Sequence, residues 1–187
     1  MRNTLYVLLL TIVFSACKKP EKDPDPINIE GFQLIDAVGN FMGRVGPADN
    51  DWQLVQFSTL NTLEQSLLNS TDTTNTNNTS LATVNFMAYP NPTRDISALS
   101  INASDSVKFK LVITDKTGTI LKQLSLKIKG STTIHIDLTD RNLFPFKKSL
   151  RYYYSFSAVG NLHFKAGYGD IKICDYSGGG NPVTECF

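Results

Sequence analysis

Apolar residues fall into one dense block at the start of the chain and then into short, mostly alternating runs. The block is Leu5-Tyr6-Val7-Leu8-Leu9-Leu10-Thr11-Ile12-Val13-Phe14, preceded by Arg2 and followed by Ser15-Ala16-Cys17. A spanning helix needs about 20 apolar residues. This run is roughly half that, which fits the hydrophobic region of an export signal with small residues at its cleavage site. No other stretch is long and apolar enough to span. From residue 84 onward strand-like runs recur at short intervals: 84–88, 98–101, 107–113, 120–126, 133–138, 152–156, 164–167 and 170–173. Several alternate with period two, as in Leu124, Leu126 and Ile128 against Ser125, Lys127 and Lys129. That is the pattern of a strand with one dry and one wet face. Asp115-Lys116-Thr117-Gly118 is a turn signal between two runs and predicts a hairpin. Many short strands without a long helix predict an antiparallel β-sandwich of immunoglobulin-like type.

The stretch before residue 84 is more mixed. Short strands with turns are expected over 29–57, at Gly31–Asp36 and Phe41–Gly46, with Pro47 ending the second. Asn61 can cap a helix with Glu64 three residues on, and Leu60, Leu63, Leu67 and Leu68 share one face, so a short amphipathic helix is expected over about 61–69. From Asn69 to Ser80 the chain is nearly all Asn, Thr, Ser and Asp and has nothing to pack. Lys18 to Pro26 is charged and proline-rich and reads as an extended stalk. The expected organisation is a signal peptide (1–16), Cys17 with a tether (17–27), a small β/α segment (28–69), a polar linker (70–83), a β-sandwich (84–174) and a tail (175–187).

Charge changes the picture only by exclusion. Eighteen Lys and Arg against seventeen Asp and Glu leave a formal charge of +1, with no basic stripe for nucleic acid. Cysteine usage says more. With Cys17 at the cleavage point, Cys174 and Cys186 remain, and in an oxidising compartment such a pair is expected as a disulfide, a metal pair being the alternative. Catalytic chemistry is not visible. His135 falls in an expected strand and His163 near a turn, neither in a motif. Asp49-Asn50-Asp51 lacks the spacing of a calcium loop and is expected as a turn, with Trp52 after it as a core anchor. Tyr152-Tyr153-Tyr154 could fill a core or set one or two rings out as a sugar-binding platform. No enzyme activity, metal or other cofactor is expected.

Four resemblances add an address and a candidate modification. Val13-Phe14-Ser15-Ala16-Cys17 resembles the lipobox of bacterial lipoproteins, with Phe14 where a small or aliphatic residue is usual. It implies acyl chains such as palmitate on Cys17 and an outer-membrane anchor, surface-exposed or facing the periplasm. The charged residues after Cys17 resemble the surface-export signal of Bacteroidota lipoproteins, although a solvated linker reads equally well. Asp72-Thr73-Thr74 and Asp105-Ser106-Val107 resemble the O-glycosylation signal of that phylum, making Thr73 and Ser106 candidate acceptors. Finally Tyr89-Pro90-Asn91-Pro92, Asp95, Ile113-Thr114-Asp115-Lys116-Thr117-Gly118, Ile136-Asp137-Leu138 and Tyr154 resemble, in order and spacing, the C-terminal sorting domain of the type IX secretion system. The prolines of this YPNP element fix extended backbone and remove two donors, so it should enter the sheet at an edge.

The leading expectation is a non-enzymatic, lipid-anchored envelope protein whose sandwich serves structure or interaction. The alternatives are type IX cargo with a cleaved sorting signal and a surface glycan-binding or glycan-processing protein. Expected partners are the membrane and either the secretion machinery or a surface protein or glycan.

Overall fold

The computed structural model describes residues 27–68, 83–158, 161–175 and 185–187. The expected signal peptide, Cys17, nearly all of the tether and polar linker, Thr73 and the three glycines 178–180 between Cys174 and Cys186 lie outside these residues. The described chain is mainly antiparallel β. A two-stranded ribbon pairs β1 (Phe32–Ile35) with β2 (Phe41–Val45). A six-stranded sheet contains β3 (Val55–Gln56), β4 (Val84–Tyr89), β5 (Ile96–Asp115), β6 (Ile120–Asp137), β7 (Ser149–Ala158) and β8 (Asn161–Lys172). Its order is β3-β8-β7-β5-β4, with β6 along the other side of β5. No helix among the described residues is long and apolar enough to cross a membrane.

The Asp115–Gly118 hairpin forms as expected, with the Asp115 carboxylate accepting from the backbone N–H of Thr117 and Thr119. The run boundaries on either side of it differ from expectation. Runs 98–101 and 107–113 are one strand, β5, and runs 120–126 and 133–138 are one strand, β6. The polar stretch between the first two crosses a register shift: Asn102 and Ala103 pair with Ser131 and Gly130 of β6, pairing with β6 resumes at Val107, and between them Ser104 N donates to Thr83 O.

β5 serves both halves of the core. Its first half pairs with β4 and its second half with β7, on the same side of the strand. The sheet curls so that these halves face each other in a sandwich-like arrangement. Leu99, Ile101 and Ala103 from one half pack in one cluster with Phe109, Leu111, Tyr152, Tyr154 and Phe156 from the other. The ring of Phe86 on β4 bridges them, 4.2 Å from Tyr154 and 5.9 Å from Phe109, centroid to centroid.

A smaller cluster covers the opposite face of the sheet. It joins Val112 and Tyr153 to Ile27, Leu60 and Leu68. The helix α1 (Thr62–Leu68) supplies this cover. Its start is a reciprocal cap: Glu64 N donates to Asn61 Oδ1 at 2.9 Å, and Asn61 N donates to Glu64 Oε2 at 2.9 Å. Leu63, expected on the apolar face, is instead 37% exposed. In a helix this short Leu60 and Leu68 already fill the contact.

Candidate functional site

The YPNP corner lies where β4 ends and β5 begins. Both X–Pro bonds, Tyr89–Pro90 and Asn91–Pro92, are cis. Asn91 is fully buried, and every polar atom it carries is engaged. Its Nδ2 donates to the carbonyls of Gln33 (2.8 Å) and Asp170 (2.7 Å), and its Oδ1 accepts from Lys172 N (3.1 Å). Its backbone exchanges two bonds with Ile35, each 2.9 Å. One side chain therefore ties β1 to β8. Two residues on, Thr93 N donates to Lys172 O and Cys174 N donates to Thr93 O, so the end of β8 is clamped alongside. Asp95 forms an ion pair with Arg141, whose guanidinium lies 4.1 Å from the Phe146 ring centre.

The C-terminus returns to the same corner. Cys174 and Cys186 form a disulfide of 2.04 Å, the expected pairing. Phe187 then meets Phe32 of β1, with ring centres 5.2 Å apart.

A second constellation sits on β8 and the turn before β3. Asp49-Asn50-Asp51 is a turn, and Trp52 after it has a positive φ of 62°. Its indole stacks on Tyr154 (6.2 Å) and meets Tyr152 edge-on (6.0 Å). Room exists because Gly169 and Gly167 on β8 carry no side chain. A Cβ on the first would overlap the indole, and one on the second would overlap the Gln53 carbonyl. Tyr154 OH donates to that carbonyl at 2.9 Å. Beside it Arg151 holds Asp170 through two bonds of 2.7 Å and donates to Asn28 O at 2.7 Å.

Asp51 is 4% exposed, and its Oδ2 meets no donor among the described residues. Burial, and then the nearby Asp170 carboxylate, push its pKa up to about 7. Burial also raises Asp170 against the pull of Arg151. These groups line a cleft of about 360 Å³ with Glu30, Tyr168 and Asn50. A shifted carboxyl in a cleft is the usual mark of an acid–base site. Here, however, Asp170 is committed to Arg151, and Asp51 Oδ2 is closed off from solvent. The cluster fastens two segments to each other.

The three tyrosines take the core role, one of the two the sequence left open. Tyr152, Tyr153 and Tyr154 are all buried, so none offers an exposed platform for a sugar. Two face the main core, and Tyr153 lies under Ile27 and α1. His135 is exposed on β6. Ser106 is half-buried within β5, at the register shift. Among the described residues no group of three or more His, Cys, Asp or Glu is arranged to hold a metal ion. Sequence reasoning missed the Asp51–Asp170–Arg151 cluster. The only local signal was Gly-Tyr-Gly-Asp at 167–170, two glycines on one strand face where a neighbour must approach closely.

An antiparallel β unit entered through a YPNP corner is the class that the geometry defines. The family model described as "Secretion system C-terminal sorting domain" matches residues 87–142. That span runs from within β4 through β5 and β6. No curated protein and no solved structure matches the chain.

Proposed function

We propose that this chain is cargo of the type IX secretion machinery, exported to the cell envelope under its 87–142 unit and kept whole there as a non-enzymatic interaction or structural module. The match over 87–142 carries the first half of this reading. The second half rests on how residues 27–68 are built in. β3 is a strand of the same sheet as β8, and β1 is bonded to Asn91. Trp52 fills the space above Gly169. Cutting the chain near residue 84 would strip β1, β3 and α1 of the surfaces they pack on. The short N-terminal product would then have little apolar area left to bury.

Lipid on Cys17 belongs to the same proposal. It is supported by the lipobox-like Val13–Cys17 and by the charged, proline-rich stretch that follows. Such a chain would sit on the outer membrane with its β unit held off the bilayer.

The test is surface labelling in the native host, with and without the secretion system. Cargo should be reachable by protease outside intact wild-type cells and retained inside cells lacking the system. Equal surface exposure in both strains would overturn the cargo reading. It would favour a second reading, in which the sorting-like unit is a permanent structural module of a lipoprotein exported by another route.

A further inference from the structure

The most exposed large apolar side chains among the described residues sit together on the β1–β2 hairpin. Val38 is 78%, Met42 69% and Phe41 57% exposed. Apolar residues scattered singly over a surface are ordinary, but a contiguous patch marks a contact. Strand alternation would turn either Phe41 or Met42 inward. A bulge prevents it: Leu34 pairs with Gly43 and Ile35 with Phe41, so Met42 has no opposite residue on β1. Met87 of β4 extends the patch. It is 41% exposed, and a Cβ on Gly39 would come within 2.9 Å of its Sδ.

The tip is held in one shape. The Asp36 carboxylate accepts from Val38 N at 2.9 Å, from Asn40 N at 2.8 Å and from Asn40 Nδ2 at 2.8 Å. At the base of the hairpin Ile35 exchanges its two backbone bonds with Asn91. Arg44 pairs with Asp49 and lies 5.7 Å from the Phe41 ring centre. The charged groups beside the tip are thus engaged locally, whereas a protein partner is usually held through hydrogen bonds at a polar rim. The clefts lined by Glu64, by Lys108 and Lys110, and by Asp51 and Asp170 are polar, so they give the tip of a second copy no apolar socket. A medium that asks for no directional bond suits this tip, and the boundary between lipid headgroups and acyl chains is one.

The length of chain before Ile27 brings that boundary within reach. The β1–β2 hairpin is the first structure the described chain builds after Ile27. From Cys17 to Ile27 the chain advances ten residues and includes three prolines, so at about 3.1 Å per residue it reaches about 30 Å. From Ile27 to the end of β1 is eight residues, at most about 28 Å. A bilayer holding Cys17 therefore lies within range of the hairpin. We propose that the 38–42 tip, through Val38, Phe41 and Met42, inserts into the apolar boundary of the lipid bilayer and sets the orientation of the anchored domain. The tip alone touches the membrane, and the six-stranded sheet stays clear of it. This inference rests on the lipid-anchored reading above.

The experiment supplies the anchor chemically. The mature chain is coupled through Cys17 to a maleimide lipid in phosphatidylcholine vesicles, with the Cys174–Cys186 disulfide left intact so that no other cysteine reacts. Val38→Trp carries the probe, its signal taken over that of Trp52, and lipids brominated on their acyl chains are the quencher. The added fluorescence should fall roughly twofold, as expected of a ring at the acyl boundary. Leu126→Trp, at an exposed apolar position on β6, should not be quenched. Adding Phe41→Ser/Met42→Ser to Val38→Trp should abolish the quenching and leave the melting point close to the parent's, as for other surface changes. The quenching should persist with phosphatidylglycerol added and in high salt, because the contact is apolar. No quenching at Val38→Trp, equal quenching at both tryptophans, quenching that survives the double variant, or a core-sized loss of stability in that variant would each overturn the proposal. Dimers of the uncoupled chain that the double variant abolishes would assign the tip to a second copy and overturn it too. A missing acyl chain on Cys17 in native material would sink the anchor and leave the vesicle result standing, so the two failures can be told apart.

Discussion

The indole of Trp52 lies directly over Gly169, close enough that a single added methyl on β8 would overlap it. This contact joins the turn before β3 to the strand that closes the sheet. Gly169→Ala should therefore destabilise the fold by about 2 kcal/mol, the usual scale of overpacking. Trp52→Ala should cost about 3 kcal/mol through the cavity it leaves against Tyr152 and Tyr154. Trp52 is the sole tryptophan, so its fluorescence during urea unfolding reads this interface directly. A stability change under 0.5 kcal/mol for Trp52→Ala, well below the usual range, would mean the turn is not docked.

Asn91 holds two segments far apart in the sequence. Asn91→Ala strands a backbone N–H at Lys172 and removes donors from two carbonyls. Each buried group left unsatisfied costs about 1–3 kcal/mol. The expected loss is about 3 kcal/mol, with faster amide hydrogen exchange at both Ile35 and Lys172. Asn91→Asp should be worse, since a carboxylate would face the carbonyls of Gln33 and Asp170. Chemical denaturation of the two variants checks the order.

Asp51 should make the protein less stable as pH rises. Its folded pKa is raised from 3.8 to about 7, so the folded state holds the proton more tightly. Its stabilising contribution is complete below 3.8 and is lost as pH climbs toward 7. The slope is at most about 1.4 kcal/mol per pH unit. Asp170, also raised, acts in the same direction. Asp36, Asp115 and Asp137 are lowered, so their contributions fade only in stronger acid. Asp51→Asn should flatten the profile between pH 4 and 7 and gain stability at pH 8. Melting curves across that range would contradict the account if the parent and the variant ran parallel.

The disulfide closes a span of 12 residues and returns Phe187 to Phe32. In the chain-entropy model a loop of this size contributes about 3 kcal/mol. Cys174→Ser/Cys186→Ser should lower stability by about that amount. It should also loosen β1, visible as faster exchange at Phe32.

Signals that act over a few residues were readable in the sequence. The reciprocal Asn61–Glu64 cap and the Asp115–Gly118 turn each depend on immediate neighbours. Alternation correctly gave a mainly antiparallel β fold. The continuity of β5 was not readable, because Asn102 to Ser106 has no strand pattern of its own and spans a register shift, beyond which pairing with β6 resumes at Val107. The fate of the tyrosines was hidden for a related reason. Strand alternation puts Tyr153 opposite Tyr152 and Tyr154, which suggests one wet face, and only the cover from Ile27 and α1 makes both faces dry. The Asp51–Asp170–Arg151 cluster draws on residues more than a hundred positions apart, and no local pattern announces such a meeting.

The central claim is that residues 27–68 and the sorting-like unit are one folded body that stays together after export. Intact mass spectrometry of the mature protein from native-host membranes tests it most directly. The account predicts a single species that begins at an acylated Cys17 and still ends at Phe187. A product ending near residue 84 would contradict it and would make everything beyond that point a consumed sorting signal.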